Sequence, residues 1–334
     1  MNLKLTVVDQ SPVHGTSPAM QAPSDSIQLA KTCDELGYYR YWVAEHHNSI
    51  QFANPCPEIL IAAIAAQTRN MRIGSGGVML THYSSYKVAE VFRMLASLYP
   101  DRIDLGIGRA PGGNLLSTAA LAAPHGPSAG DHFPRQAADL VGLLRNELAS
   151  EHPYYELRAL PDNQPCPQLW MLGSGGGSSS LAGQLGMGLA VARFIAPQAC
   201  SPEIFDNYEA HLREAGHEGK AQKMLAIACV CAETEAQAKL IAGTAAWRKV
   251  ATQLGVKEPL KSPEEVQDAY RRLAPSHQNL FDETLHSMTT GTPEQCREKI
   301  QQLASQFAVE EIGLVAVTHS LDDRLNSYRL LANA

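Results

Sequence analysis

Two adjacent imidazoles, His46 and His47, end the apolar run Tyr39-Arg40-Tyr41-Trp42-Val43-Ala44, at the point where a strand gives way to a loop. Imidazole titrates near neutrality, so one ring of the pair can lie over a ligand as hydrogen-bond donor or general acid/base, leaving the other to structure. A second signal is the run Gly175-Gly176-Gly177-Ser178-Ser179-Ser180, between an apolar strand and a helix. Free N–H groups at a helix start, the hydroxyls of Ser178 to Ser180 and the helix dipole together make an anion pocket. Arg109 adds a permanent charge suited to bidentate contact with a phosphate. The glycines before it, Gly106 and Gly108, and the cluster Gly74-Ser75-Gly76-Gly77 leave room for a flat ring to approach the backbone. A planar aromatic group with a phosphate tail fits these parts.

Each signal has a plainer reading. The Gly/Ser run can be a flexible turn, Arg109 a salt-bridged barrel arginine, and His14 and His82 solvated loop histidines rather than lining of a site mouth. Metal binding is disfavoured, because successive residues of an extended segment point to opposite sides and no H-E-x-x-H or H-x-x-x-H pair is present. The Gly/Ser run lacks the G-x-G-x-x-G spacing of a dinucleotide fingerprint and the lysine of a P-loop. Serine-hydrolase chemistry has no G-x-S-x-G to support it, and the cysteines show no activating motif.

These residues must be positioned by strands. Runs of strand composition occur at residues 3–8, 39–44, 71–80, 102–108, 168–172, 188–192, 225–231 and 311–318, with helical segments between them. Helices are expected over 24–36, 58–68, 87–98, 135–148, 181–185, near 203–215, through Lys239, and from Pro293 to about Gln306. Repeated strand-helix units build a parallel sheet by right-handed crossovers, and eight of them without a linker predict a closed α/β fold, a (β/α)8 TIM barrel. The C-terminal ends of all the strands then meet on one face, where the histidine pair, the glycine clusters and Arg109 converge. The chain reads as one domain over 1–334, with insertions after strands four and seven. The first is a long loop through Pro111-Gly112-Gly113 and from Ala123 to Pro134, suited to a wall or lid. The second is a polar helical segment over about 247–286.

Composition bounds the partners. The 334 residues carry 27 basic and 34 acidic side chains, a net charge of -7, without a basic cluster, which argues against nucleic acid and anionic membranes and for a small-molecule ligand. Seven cysteines without a C-x-x-C pair read as reduced thiols, and no apolar run reaches membrane-spanning length. A cytoplasmic location is the expectation.

The run Tyr41-Trp42-Val43-Ala44-Glu45-His46-His47-Asn48, then Ile73-Gly74-Ser75-Gly76-Gly77-Val78, then Pro100 through Arg109, resembles the bacterial luciferase-like flavin-dependent monooxygenase family. Gly291-Thr292-Pro293-Glu294 and Val317-Thr318-His319 resemble its single-component luciferase-like oxidoreductase subgroup. The likeness covers nearly the whole chain and is unspecific for substrate. It implies an FMN-dependent enzyme in which His46 is the catalytic histidine supporting the oxygenated flavin. It implies a non-prolyl cis peptide at Gly76-Gly77 under the flavin ring, Arg109 and Arg135 as phosphate arginines, and Gly176, Gly177, Ser178 and Ser179 as the phosphate loop. Gly108 stands where the luciferase α subunit has a reactive cysteine, so aldehyde luminescence is not implied. An acidic residue and a threonine pair of the luciferase subunit are glycines and serines here, which changes side-chain roles but not backbone donors.

The function expected is a monooxygenase using dioxygen and reduced FMN from a separate NAD(P)H-dependent flavin reductase. A deazaflavin-dependent hydride-transfer enzyme and a non-catalytic flavin-binding protein are the alternatives. A homodimer is expected through the apolar helix from Glu58.

Overall fold

The computed structural model describes residues 3–15, 17–124, 126, 131–162 and 166–333. Among these, nine strands are present: β1 (Lys4–Asp9), β2 (Arg40–Val43), β3 (Arg72–Met79), β4 (Ile103–Gly108), β5 (Gln168–Gly173), β6 (Gly188–Ala192), β7 (Lys223–Cys231), β8 (Thr289–Gly291) and β9 (Glu311–Val315). Eight of them, all but β8, pair in parallel and in sequence order, and β9 bonds both β7 and β1 to close the ring. This is the (β/α)8 barrel expected. The short β8 adds only to the C-terminal end of β7, pairing Cys229 to Cys231 with Thr289 to Gly291.

Twelve α-helices pack outside or over the ends: α1 (Ala22–Glu35), α2 (Pro57–Ala65), α3 (Ser85–Leu98), α4 (Leu115–Leu121), α5 (Phe133–Arg145), α6 (Gly176–Gln184), α7 (Glu203–Glu214), α8 (Glu235–Gln253), α9 (Pro263–Tyr270), α10 (Pro275–Ser287), α11 (Pro293–Gln306) and α12 (Leu321–Asn333). Their starts follow local chemistry. Proline stands in the first turn of α2, α5 and α11, where no N–H is needed, and Thr292 caps α11 in a capping box with Gln295. Several expected bounds shift. α2 stops at Ala65, short of Thr68, and α5 ends at Arg145 because Asn146 takes the left-handed conformation, φ 57°. α4 and β8 were not anticipated. The wall or lid expected between Ala123 and Pro134 falls partly outside the described residues, which omit 125 and 127–130.

Alternation along the strands separates two cores. Tyr41 and Val43 of β2 belong to the large cluster under the helices, whereas Trp42 meets Trp170, Ala190 and Met224 inside the barrel, its ring edge-on to Trp170 at 5.2 Å. Below them, at the N-terminal ends of the strands, Arg40 pairs with Asp104 at 2.7 Å and Glu311 at 2.9 Å, and Arg72 with Asp104 at 2.6 Å. Trp42 donates its indole N–H to the same Asp104 carboxylate at 3.0 Å. The glycines of β3 and β4 are required by this packing. A Cβ on Gly74 would lie 2.5 Å from the Asp104 carbonyl, one on Gly76 3.0 Å from Trp42, and one on Gly106 would strike the Ser75 carbonyl and Leu172. Gly106 therefore makes room for the neighbouring strand rather than for a ligand, which corrects the sequence reading of that residue.

The polar character expected of residues 247–286 also needs correction. Ala246, Trp247, Val250 and Ala251 of α8 pack with Val266 of α9 and Phe281 of α10 in a buried cluster of their own. No helix among the described residues is long and apolar enough to cross a membrane.

Candidate functional site

The C-terminal strand ends surround a cavity of about 680 Å3. Its floor is apolar, from Val8, Trp42, Leu172, Ala190, Met224 and Ala226, and its rim carries His46, Gly76, Gly77, Gly108, Arg109 and the loop Gly173 to Ser178. The Gly76-Gly77 peptide is cis, and the pairing of β3 with β4 shifts register at that point, so Gly77 is an extra residue opposite β4. A Cβ on Gly108 would come within 3.3 Å of the Met79 methyl.

At one end of the cavity β5 runs into α6. Gly175 precedes the helix in extended conformation, and no side chain caps the first turn. A Cβ added at Gly175, Gly176 or Gly177 would meet nothing within 4 Å, so this turn lies open. Uncapped N–H groups at the positive end of a helix dipole suit an anion. Ser178 lines the cavity, but Ser179 is buried on the other side of the turn. Its hydroxyl bonds the Gly176 carbonyl at 2.6 Å and receives the Asn207 amide at 2.6 Å, which ties α6 to α7. Arg109 stands at the rim, largely exposed and paired with Asp131 at 3.1 Å. Arg135 lies exposed on the first turn of α5 and is not among the residues lining the cavity.

At the other end the histidine pair splits. His46 lines the cavity; its ring lies over Phe52 with centroids 4.7 Å apart, and its Nδ1 is buried without a hydrogen-bond partner among the described residues. Burial pushes its pKa down to about 4, and the charges of Arg248 and His47 act the same way, against a small opposing effect of Asp9. The ring is therefore neutral at pH 7, with a free nitrogen. Its position is set by its main-chain N–H, which donates to the Asn54 carbonyl at 2.9 Å, while the Asn54 amide donates to the Ala44 carbonyl at 2.8 Å.

His47 turns away and donates from Nε2 to Glu45 at 2.6 Å. The buried Glu45 carboxylate also receives Tyr83 Oη–H at 2.7 Å and the Met79 main-chain N–H at 2.9 Å. Burial, with this carboxylate beside it, raises the Tyr83 phenol far above its usual range. His47 further donates its main-chain N–H to the Gly112 carbonyl at 2.8 Å, and His82 bonds the Pro111 carbonyl at 2.8 Å. The loop after β4 is thus fastened to the end of β2. His14, for which the sequence allows either lining of the mouth or a solvated loop position, is buried, pairs with Asp25 at 2.9 Å and is not among the residues lining the cavity. Among the described residues no group of three or more His, Cys, Asp or Glu side chains is arranged to hold a metal ion.

Glu45, Asn54, Phe52 and Arg248 were not singled out from the sequence. For Glu45 a signal existed, an acid inside an otherwise apolar strand end; the others become visible only when distant segments meet.

The model of the luciferase-like monooxygenase family matches residues 1–310. The chain is 37% identical over 333 residues to the uncharacterized protein YwcH of Bacillus subtilis, covering 99% of each. It is 32% identical to the N-acetyl-S-alkylcysteine monooxygenase of the same organism, covering 99% of this chain and 98% of that one. Among solved structures, apo-MsnO8 superposes with a TM-score of 0.88 at 38% identity, covering 99% of this chain and 98% of that one. Two more distant structures share the fold. The oxygenating constituent of 3,6-diketocamphane monooxygenase from Pseudomonas putida, in complex with FMN, has a TM-score of 0.70 at 19% identity, covering 99% and 96%. An F420-dependent secondary alcohol dehydrogenase has 0.69 at 16%, covering 99% and 98%. With the family model matched over most of its length and relatives above 30% identity end to end, the chain belongs to the luciferase-like monooxygenase family.

Proposed function

We propose that the protein binds reduced FMN and uses dioxygen to oxygenate a small organic substrate. The observation that carries this reading is the polarity of the cavity: an open, uncapped helix start with Arg109 at one end, an apolar floor, and a neutral histidine with an unpartnered nitrogen at the other. These residues fit a flavin mononucleotide. The first turn of α6, Ser178 and Arg109 would hold the phosphate; Gly76, Gly77 and Gly108, which line the cavity, would let the ring system lie against the backbone above Trp42. Reduced flavin, when bound, supplies the two electrons that activate dioxygen.

The chain's own contribution is orientation, dryness and a proton donor or acceptor. His46, uncharged, lines the cavity, where a ring N–H could donate to a developing oxyanion without bringing water in. Glu45 and His47 hold the rim loop in place. The absence of a nicotinamide fingerprint supports supply of reduced flavin by a separate NAD(P)H-dependent reductase. We take the chain as one barrel domain with a helical insertion over about 247–286, cytoplasmic, and paired as a homodimer through α2 and α3, which pack on each other and leave Ile59, Met94 and Leu98 exposed.

Oxygen uptake with photoreduced FMN tests the reading. Binding of FMN at micromolar concentration and faster oxygen consumption than free reduced flavin support it. Indifference to FMN with binding of a reduced deazaflavin would identify a hydride-transfer enzyme instead, and FMN binding without any change in oxidation would identify a storage protein.

A further inference from the structure

α8 packs Ala245 against the cluster of Val8, Phe52, Val315 and Val317, and its Arg248 has no carboxylate partner among the described residues. Arg248 lays its guanidinium over the Phe52 ring, with Cζ 5.3 Å from the centroid. Its Nε is buried and lacks any hydrogen-bond partner, and among the described residues it takes part in no ion pair. Glu258, an acid of the same segment, is engaged by the Trp247 indole at 2.6 Å and by Lys261 at 2.9 Å. Burial holds the guanidinium below its usual pKa, and no carboxylate counteracts it. An arginine stays ionised regardless, and here its Nε is desolvated without a hydrogen bond while the residue as a whole keeps partial exposure.

Phe52 links that charge to the cavity. The same ring stacks with His46, and it belongs to a cluster with Val8 and Phe194, both of which line the cavity. The contacts from the cavity wall to the guanidinium therefore run through Val8 and Phe194 to the buried Phe52 ring and on to Arg248, and Phe52 and Arg248 are not themselves among the residues lining the cavity. Stacking on the ring fixes the plane of the guanidinium, and a planar anion is the partner its N–H groups would take.

Resting on the flavin reading of the cavity, we propose that Arg248 receives the carboxylate of the substrate. The substrate is then an organic acid whose apolar part crosses Phe52 and whose reacting atom lies beside His46.

Octanoate and octanamide, equal in length and differing in charge, serve as probes in calorimetric titrations of the wild type, Arg248→Met and Arg248→Lys, with and without FMN. The wild type should prefer the acid by about ten- to a hundredfold, the range of one charge-assisted hydrogen-bonded contact. Arg248→Met should bind the two equally, and Arg248→Lys should keep part of the preference. FMN affinity, titrated separately, should change less than twofold in both variants. Equal binding of acid and amide by the wild type, failure of both to bind at millimolar concentration, or a preference that survives in Arg248→Met would overturn the proposal. A lowered melting temperature of Arg248→Met with unchanged discrimination would overturn it too, by assigning Arg248 to packing on Phe52. Absence of FMN binding with a discrimination that Arg248→Met abolishes would sink the flavin reading while leaving the anion site in place.

Discussion

Arg109→Ala separates a phosphate ligand from a structural arginine. The side chain is 69% exposed and its partner Asp131 53% exposed. A pair so open contributes at most about 1 kcal/mol to the fold, so the variant should melt within a few degrees of the wild type. A guanidinium bonded to a phosphate contributes about 1.5 to 3 kcal/mol, and solvent access at the rim favours the lower end, about tenfold in affinity. That loss should fall on FMN and spare riboflavin, which has no phosphate, and it should shrink as salt rises. Asp131→Asn is the companion. Asp131 competes for the guanidinium and repels an incoming phosphate, while its other oxygen accepts the Phe133 N–H at 3.2 Å, a bond asparagine can keep. FMN should bind this variant at least as tightly as the wild type. Quenching of flavin fluorescence, titrated with both ligands at two ionic strengths, gives the numbers. An equal loss for FMN and riboflavin, or none for FMN, would refute the phosphate assignment.

Other residues give sharper contrasts. Ser178→Ala should weaken FMN severalfold, whereas Ser179→Ala, which removes one of the two serine hydroxyls that accept from the Asn207 amide between α6 and α7, should lower the melting temperature without a direct effect on affinity. His47→Ala removes one of three donors from the buried Glu45 carboxylate and should cost roughly 1 to 3 kcal/mol in urea unfolding, with His46→Ala costing less. The His46 pKa of about 4 lies below its ordinary 6.5, so the unfolded chain binds more protons between these values and stability falls as pH drops through that window. His46→Gln should remove a part of that loss on the order of 2 kcal/mol, and an unchanged pH profile would show that the ring is solvated. Ile59→Asp should dissociate the proposed homodimer in sedimentation velocity, and a wild type that stays monomeric at micromolar concentration removes that assembly.

The barrel was legible because its strands are contiguous apolar runs followed by turn residues, as in Tyr39 to Ala44 and Ile103 to Arg109. Local signals of this kind also exposed the start of α6 at the Gly/Ser run. The directions of individual side chains were less accessible. Ser178 and Ser179 are neighbours, yet one turn of about 100° sends the second to Asn207 on α7, a partner 28 positions away. Glu45 is marked in the sequence only as an acid at a strand end, and its part appears when Met79 and Tyr83 bring it donors from another strand and loop. Gly106 carries the mark of a ligand approach but answers to Ser75 and Leu172. Arg248 sits in a segment read as a polar insertion, and its isolation depends on what does not face it.

The charged network under Trp42 has a kinetic consequence. Arg40, Asp104, Trp42 and Trp170 are all at most 3% exposed, so the barrel is a blind tube sealed at its lower end. Molecules pass each other poorly in such a tube: whatever lies deepest must arrive first and depart last. If the flavin lies on the floor and the substrate above it, the oxidised flavin is trapped until the product leaves. Turnover is then a strict queue, and product held at the mouth slows flavin exchange with a reductase even when the chemistry is complete.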